Sequence, residues 1–318
     1  MKKFLNDLRR ELNDRHVKPE DIEEILADHE EMIKTALAEG LSEDDIAKRF
    51  GDPAKLADEL ADTPAAQPVE GASPEGFQPW KAFPADGSRL SVDIRLVDED
   101  IVIQTGDHPD IRILKKGKTK TDDYEVAVEK GTFTLKAPKL TGGLFFGIRR
   151  DSDLVFLVEF PKESRLETVK FVTVSGDASF LGLALTDLSA DTTSGDLHLR
   201  GLGARDVRWN AVSGDVKAED SVFASLSASA VSGDLAMKNV QVAGNLRIHT
   251  VSGDARAEDC TAGETELETV SGDVHGKEFY PETVRMKSVS GDVTLENRER
   301  NRIKVLSTKS VSGELIIR

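Results

Sequence analysis

Apolar and polar positions along the chain change period twice. Over residues 1–62 they follow a helical period. Phe4, Leu5, Leu8 and Leu12 make one stripe, and Ile22, Ile25, Leu26, His29, Ile33 and Leu37 make a second. Pro19 suits the first turn of that second helix, where its missing N–H costs nothing, and Gly40 suits the position just past its end. Ser42 with Asp45 resembles a capping box that opens a third helix, Ile46 to Phe50, and Asp52-Pro53 opens a fourth, Leu56 to Leu60. Residues 77–165 alternate with period 2 instead, as in Leu90, Val92, Ile94 and Leu96, then Ile101 and Ile103, then Tyr124, Val126 and Val128. These read as strands of irregular length with no clean repeat.

From residue 166 onward the pattern repeats. Ser-Gly-Asp recurs with its glycine at Gly176, Gly195, Gly214, Gly233, Gly253, Gly272 and Gly291, and Ser-Gly-Glu closes the series at Gly313. The intervals are 19, 19, 19, 20, 19, 19 and 22 residues. Six residues before each serine stand Val169, Leu188, Val207, Leu226, Leu246, Thr265, Val284 and Leu306. Four before it stand Phe171, Ala190, Trp209, Ala228, Ile248, Leu267, Met286 and Thr308, and the column between is polar. One residue after the acidic position comes a third apolar column, from Ala178 through Val216 to Leu315. Two half-buried strands and two turns therefore fit into each repeat. Such a unit cannot bury its own face, so neighbours must stack. The expectation is a mainly β protein: a β-solenoid, β-helix-like, of about eight coils of 19–20 residues, extending roughly 40 Å at the strand spacing. It is preceded by irregular β strands and an N-terminal all-α domain.

Composition sharpens the division. Residues 63–76 turn to Pro, Ala, Gly and Ser and predict a linker between the acidic helical domain (1–62) and the β region, with 77–165 as irregular β region and cap and 166–318 as the solenoid. Residues 1–62 hold 10 Lys+Arg against 18 Asp+Glu, a net of −8 out of −16 for the chain. An acidic chain without a basic block repels a phosphate backbone, so nucleic acid is not an expected partner. Cys260 is the only cysteine, which excludes an intrachain disulfide and fits a reducing compartment. No stretch is apolar for long enough to span a bilayer as a helix. The expected location is cytoplasmic, with peripheral contact at the inner face of the membrane as a variant of it.

Two stretches resemble known families. Glu23-Glu24-Ile25, Glu39-Gly40-Leu41-Ser42-Glu43 and Gly51-Asp52-Pro53 make residues 1–62 similar to the HAAS signalling domain. The repeated Val-Ser-Gly-Asp and the approach Val158-Glu159-Phe160-Pro161 make residues from about 90 to 318 similar to the "putative adhesin" β-strand-repeat family, which includes LiaX-, LiaG- and YvlB-like proteins. The resemblance implies a non-enzymatic role in cell-envelope stress signalling, with a PadR-like regulator as the protein partner of residues 1–62.

Candidate chemistry is sparse. The acidic ladder Asp177, Asp196, Asp215, Asp234, Asp254, Asp273, Asp292 and Glu314 stacks one carboxylate per coil. Neighbours would repel by about 1 kcal/mol even in water, so something must offset the charge. Calcium between coils is one answer. The other is that each Asp caps its own turn by accepting backbone N–H groups, with Ser and Gly supplying the bend. The six histidines are scattered; His198 and His275 share a column but lie four coils, about 19 Å, apart, too far for one metal. The stretch holding Leu144, Phe145, Phe146, Ile148, Arg149 and Arg150 reads either as an interfacial membrane wedge or as a flap over the first coil. No cofactor and no catalytic constellation is expected. The expected function is that of a scaffold or binding protein. The alternatives are a structural protein that self-associates weakly end to end through the solenoid, and an adhesin-like surface protein.

Overall fold

The computed structural model describes residues 2–14, 69–85, 89–138, 153–162, 164–298 and 303–317, together with Ile22, Glu23, Leu26, Ile33 and Pro53. The chain forms two compact units, Met1–Thr63 and Pro64–Arg318. In the first, helix α1 (Lys2–Asp14) turns the expected stripe inward. Leu8 and Leu12 pack with Ile22 and Leu26 in one cluster, with Phe4 and Leu5 at its margin. Arg9 donates to the Glu23 carboxylate across this cluster and holds it below the ordinary carboxylate range. Ile22, Leu26 and Ile33 are helical, as their spacing predicts, and so is Pro53, expected to open a helix. The remaining helical expectations lie outside the described residues.

Among the described residues, the second unit holds twenty strands in one continuous sheet. The first seven are β1 (Gln78–Pro84), β2 (Arg89–Arg95), β3 (Asp100–Gly106), β4 (Asp110–Lys116), β5 (Glu125–Glu129), β6 (Thr132–Lys136) and β7 (Val155–Pro161). The repeats supply β8 (Arg165–Thr173), β9 (Ala178–Leu181), β10 (Ala184–Thr192), β11 (Leu197–Arg200), β12 (Gly203–Ala211), β13 (Val216–Ala230) and β14 (Leu235–Val242). They continue as β15 (Leu246–Thr250), β16 (Ala255–Thr269), β17 (Val274–Ser288), β18 (Val293–Glu296), β19 (Lys304–Ser310) and β20 (Leu315–Ile317).

Each coil lays one strand before the Ser-Gly-Asp turn and one after it, parallel and in register with the coils on either side. Leu188 pairs with Val207 and Ala190 with Trp209, while beyond the turn Leu197 pairs with Val216. This is the β-solenoid that the columns predict. The core columns are buried over the first seven repeats, and bulk alternates along them: Trp209 sits between Ala190 and Ala228, and Phe223 follows Ala204. A wide residue on one rung is thus accommodated by a small one on the next. Thr265 is the exception in its column, because its Oγ1 is buried without a hydrogen-bond partner.

Two expectations need correction. Residues 89–106 are not an irregular prelude: β2 pairs parallel with β8 and β3 with β9, so they form a coil ahead of the first Ser-Gly-Asp. Its turn reads Val97-Asp98-Glu99-Asp100, which keeps the geometry with none of the small residues. The buried Glu99 instead accepts the Val97 N–H at 2.8 Å and the Tyr124 hydroxyl. In the last coil, a register shift places Val305 opposite Val284 and Ser307 opposite Arg285. Leu306 is therefore displaced from its expected core column, and on this last coil both it and Val305 are exposed.

On the far side of the 89–106 coil β6 still pairs parallel with β2 and β7 with β3, and beyond them the pairing becomes antiparallel, through β7–β4–β1 on one side and β6–β5 on the other. Trp80 stacks on Phe156 at 5.3 Å and Tyr124 meets the same ring edge-on at 5.5 Å, covering the core there. The edge strand β1 carries Pro79, Pro84 and a register shift, features that discourage further strand addition. The presumed linker is in part held down: Gln104 accepts the Ala72 N–H at 2.7 Å, and its amide reaches Glu159 at 3.1 Å.

Candidate functional site

The repeated turns set the same polar groups on rung after rung, so they are the first place to look for a site. The glycine is fixed by close approach rather than by backbone angle. A Cβ at Gly195 would lie 2.0 Å from the Gly176 carbonyl oxygen, and the same distance recurs up the stack to Gly313 on Gly291. The positive φ angles fall at another corner, at Gly182, Gly201, Asp220, Asn239, Asp259 and Glu278. That second corner gives no uniform sequence signal, because side chains of several kinds occupy it.

The serine ties adjacent turns: Ser194 donates from its amide and its hydroxyl to the Val174 carbonyl, at 2.8 and 3.1 Å. A small residue three positions before the glycine closes the turn from inside. Thr192 Oγ1 donates to the Gly195 carbonyl at 2.7 Å, and Thr250, Thr269 and Ser288 do the same one turn each.

The carboxylates do not cap their own turns. Asp177 Oδ1 accepts the Asp196 N–H at 2.8 Å, Asp196 accepts that of Asp215 at 2.9 Å, and Asp215 that of Asp234 at 2.8 Å. The series continues through Asp234, Asp254 and Asp273 to Asp292, which accepts the Glu314 N–H at 2.7 Å. It also begins one coil earlier than the repeat suggests, with Asp100 accepting the Asp177 N–H at 2.9 Å. The reason is geometric: the residue after a stacked glycine aims its N–H along the solenoid axis, where only the preceding coil can supply an acceptor. The offset to the like-charge stack comes from these N–H dipoles and from Arg256, which lies 3.5 Å from Asp234 and 3.0 Å from Asp254.

Among the described residues, no three of His, Cys, Asp and Glu come together as metal ligands do. His198 and His249 each meet a glutamate of the next coil, Glu219 at 3.0 Å and Glu268 at 3.5 Å. Burial works to raise the Glu219 carboxyl, but hydrogen bonds from Lys217 and His198 outweigh it and hold it below the ordinary range. Cys260 is buried, which pushes its thiol up to about 11. Leu144, Phe145, Phe146, Ile148, Arg149 and Arg150 lie outside the described residues.

One feature of the motif had no role in the sequence reading. The valine before Ser-Gly-Asp looks like a core residue, yet Val174, Val212, Val231, Val270 and Val289 stand exposed in a row. Beside them runs a shallow groove of about 430 Å³, with Thr192, Ala211 and Ala230 along its floor and Asp191, Asn210, Ser229 and His249 on its far wall.

The stacked turns coincide with a family match. Residues 89–229 and 222–318 match the family described as Toastrack DUF4097, together most of the chain. The chain belongs to the Toastrack DUF4097 family. Residues 3–59 match the HAAS family, so the protein is a fusion of a HAAS domain with a Toastrack solenoid. No curated protein matches the sequence significantly. Among solved structures, it is similar to a putative adhesin from Bacteroides fragilis, with 18% identity over 77% of this chain and 98% of that one, at a TM-score of 0.45. A putative cell adhesion protein from Clostridium sporogenes aligns at 10% identity over 76% of this chain and 99% of that one, at 0.26. No helix among the described residues of this Toastrack protein is long and apolar enough to cross a membrane.

Proposed function

We propose that the chain is a non-enzymatic scaffold of bacterial cell-envelope stress signalling. The HAAS domain docks a regulator of the PadR-like kind, and the solenoid offers an extended surface for other contacts. It works in the cytoplasm, in peripheral contact with the inner face of the membrane when residues 144–150 meet lipid.

One observation carries this reading: the repeat spends its reactive groups on itself. Ladder carboxylates are bound to the next coil's N–H groups, hydroxyls close turns, and the thiol is buried with its proton held. What a partner meets is a regular outer surface. The acidic helical unit, at −8 over residues 1–62, suits a partner with a basic or apolar groove.

Cross-linking in native cells tests it, using the full chain and a chain lacking residues 1–62 whose β unit retains its melting temperature. The full chain is expected to capture a DNA-binding regulator that the shortened chain does not. Equal capture by both chains, or capture of no regulator by either, overturns the proposal.

A further inference from the structure

We propose that the solenoid pairs side by side with a second copy of this chain, along the rim of valines, with the two stacks running parallel. The pairing belongs to the β unit alone and does not depend on the regulator reading.

The valine of the motif is apolar at nearly every rung and contributes nothing to the core. Val174, Val212, Val231, Val270 and Val289 are 38–47% exposed, and Val311 is 82% exposed, while Thr193 and Val251 complete the row. Scattered exposed valines need no explanation, but a row of seven valines broken by one threonine over eight coils does. The groove beside the row has a floor of small residues, which leaves room for apolar knobs to settle against it.

The spacing of the row selects the occupant. Its rungs rise by about 4.8 Å, the separation of paired strands. An extended peptide places side chains on one face every ~6.7 Å and is out of step by the second rung. A helix advances about 5.4 Å per turn and loses nearly a full rung over seven intervals. A second stack of the same coils keeps step throughout.

Charge selects the direction. On one side of the rim, the outward column next to the groove wall carries Lys170, Arg208, Arg247 and Arg285 on alternate coils, with Ser189, Ser227 and Glu266 between them. On the other side stands the carboxylate ladder. A two-fold axis parallel to the solenoid exchanges the two sides, bringing Arg208 of one copy toward Asp215 of the other and Arg247 toward Asp254, twice each. A two-fold axis across the solenoid would lay ladder on ladder, in a chain whose net charge is already −16. A strip about one rim wide and roughly 35 Å long falls short of the ~800 Å² per partner of a tight interface, so the pairing is weak and concentration-dependent.

Single cysteines placed on the rim of the full chain read this arrangement directly, with the buried Cys260 left in place. Val212→Cys, Val231→Cys and Val270→Cys should each cross-link to itself with a short thiol-specific reagent, in comparable yield, because parallel stacks bring every rung beside its own copy. Lys238→Cys, exposed on the other face, should give several-fold less. Arg208→Glu with Arg247→Glu should lower the yield from Val231→Cys several-fold, and the unsubstituted pair should weaken as salt rises. Unchanged melting temperatures exclude misfolding as the cause. Cross-linking at one rung only contradicts the parallel arrangement. Equal yields from rim and control, no dimer at any concentration, or sedimenting dimers without rim cross-links, which would place the contact at the coil ends, each overturn the proposal.

Discussion

Asp234 shows what one residue of the repeat does. Its carboxylate accepts the Asp254 N–H at 2.9 Å while its own N–H is taken by Asp215 at 2.8 Å, so it links three coils. Asp234→Ala is expected to cost about 1–2 kcal/mol, the range for losing a charge-assisted hydrogen bond at a partly exposed site. Asp234→Asn keeps an acceptor and should cost less; urea unfolding of both variants measures the difference. Gly233→Ala is expected to cost more than either, ~2–3 kcal/mol, since its Cβ would lie 2.0 Å from the rigid Gly214 carbonyl. Thr265→Val goes the other way. It replaces a buried hydroxyl without a partner by a methyl of similar size, and should raise stability by about 1 kcal/mol in the same assay.

At the scale of the coil, complementarity between rungs decides tolerance. Ala228→Leu would drive a branched side chain into Trp209 and should destabilise by about 1–3 kcal/mol, whereas the exposed Lys238→Leu should change little. Ion pairs between coils add a pH dependence. A hydrogen bond from Lys287 holds the Glu266 carboxyl below its ordinary value, and Glu219 is lowered against the pull of burial by Lys217 and His198. Folded values below unfolded ones mean that this stability is present above the ordinary carboxylate range and is lost as pH falls through the depressed values. The melting temperature should hold until about pH 4 and fall below it, and Lys287→Met should make that fall shallower.

The coils were legible in the sequence because burial imposes period 2 on Val207 and Trp209 before the turn and on Val216 and Ala218 after it. The coil at 89–106 was not, because Glu99 replaces the glycine and meets the turn's needs with a carboxylate instead. The valine rim was not legible for a related reason: hydropathy reports what a side chain prefers, and position in a turn decides whether the preference is met. The direction of the Asp bonds was hidden too, since sequence cannot say that a stacked turn points its N–H along the axis.

The whole molecule divides into a helical unit and a stack, joined in sequence by a segment rich in Pro and Ala. Ala72 is held by Gln104, so a broad-specificity protease is expected to cut between Thr63 and Pro68 and to spare Gly71 to Gly76. Cutting throughout 63–76 at one rate would show that the Gln104 contact does not hold the segment. In the proposed function the carboxylate ladder is a structural device internal to the stack, and the outer surface is what meets partners. Amide hydrogen exchange in the full chain, with and without millimolar calcium, tests it most directly. The N–H groups of Asp196, Asp215, Asp234, Asp254, Asp273 and Asp292 should be strongly protected without calcium and unchanged by it, and Asp215→Ala should release that of Asp234 first. Ladder amides that exchange freely until calcium is added would contradict the account.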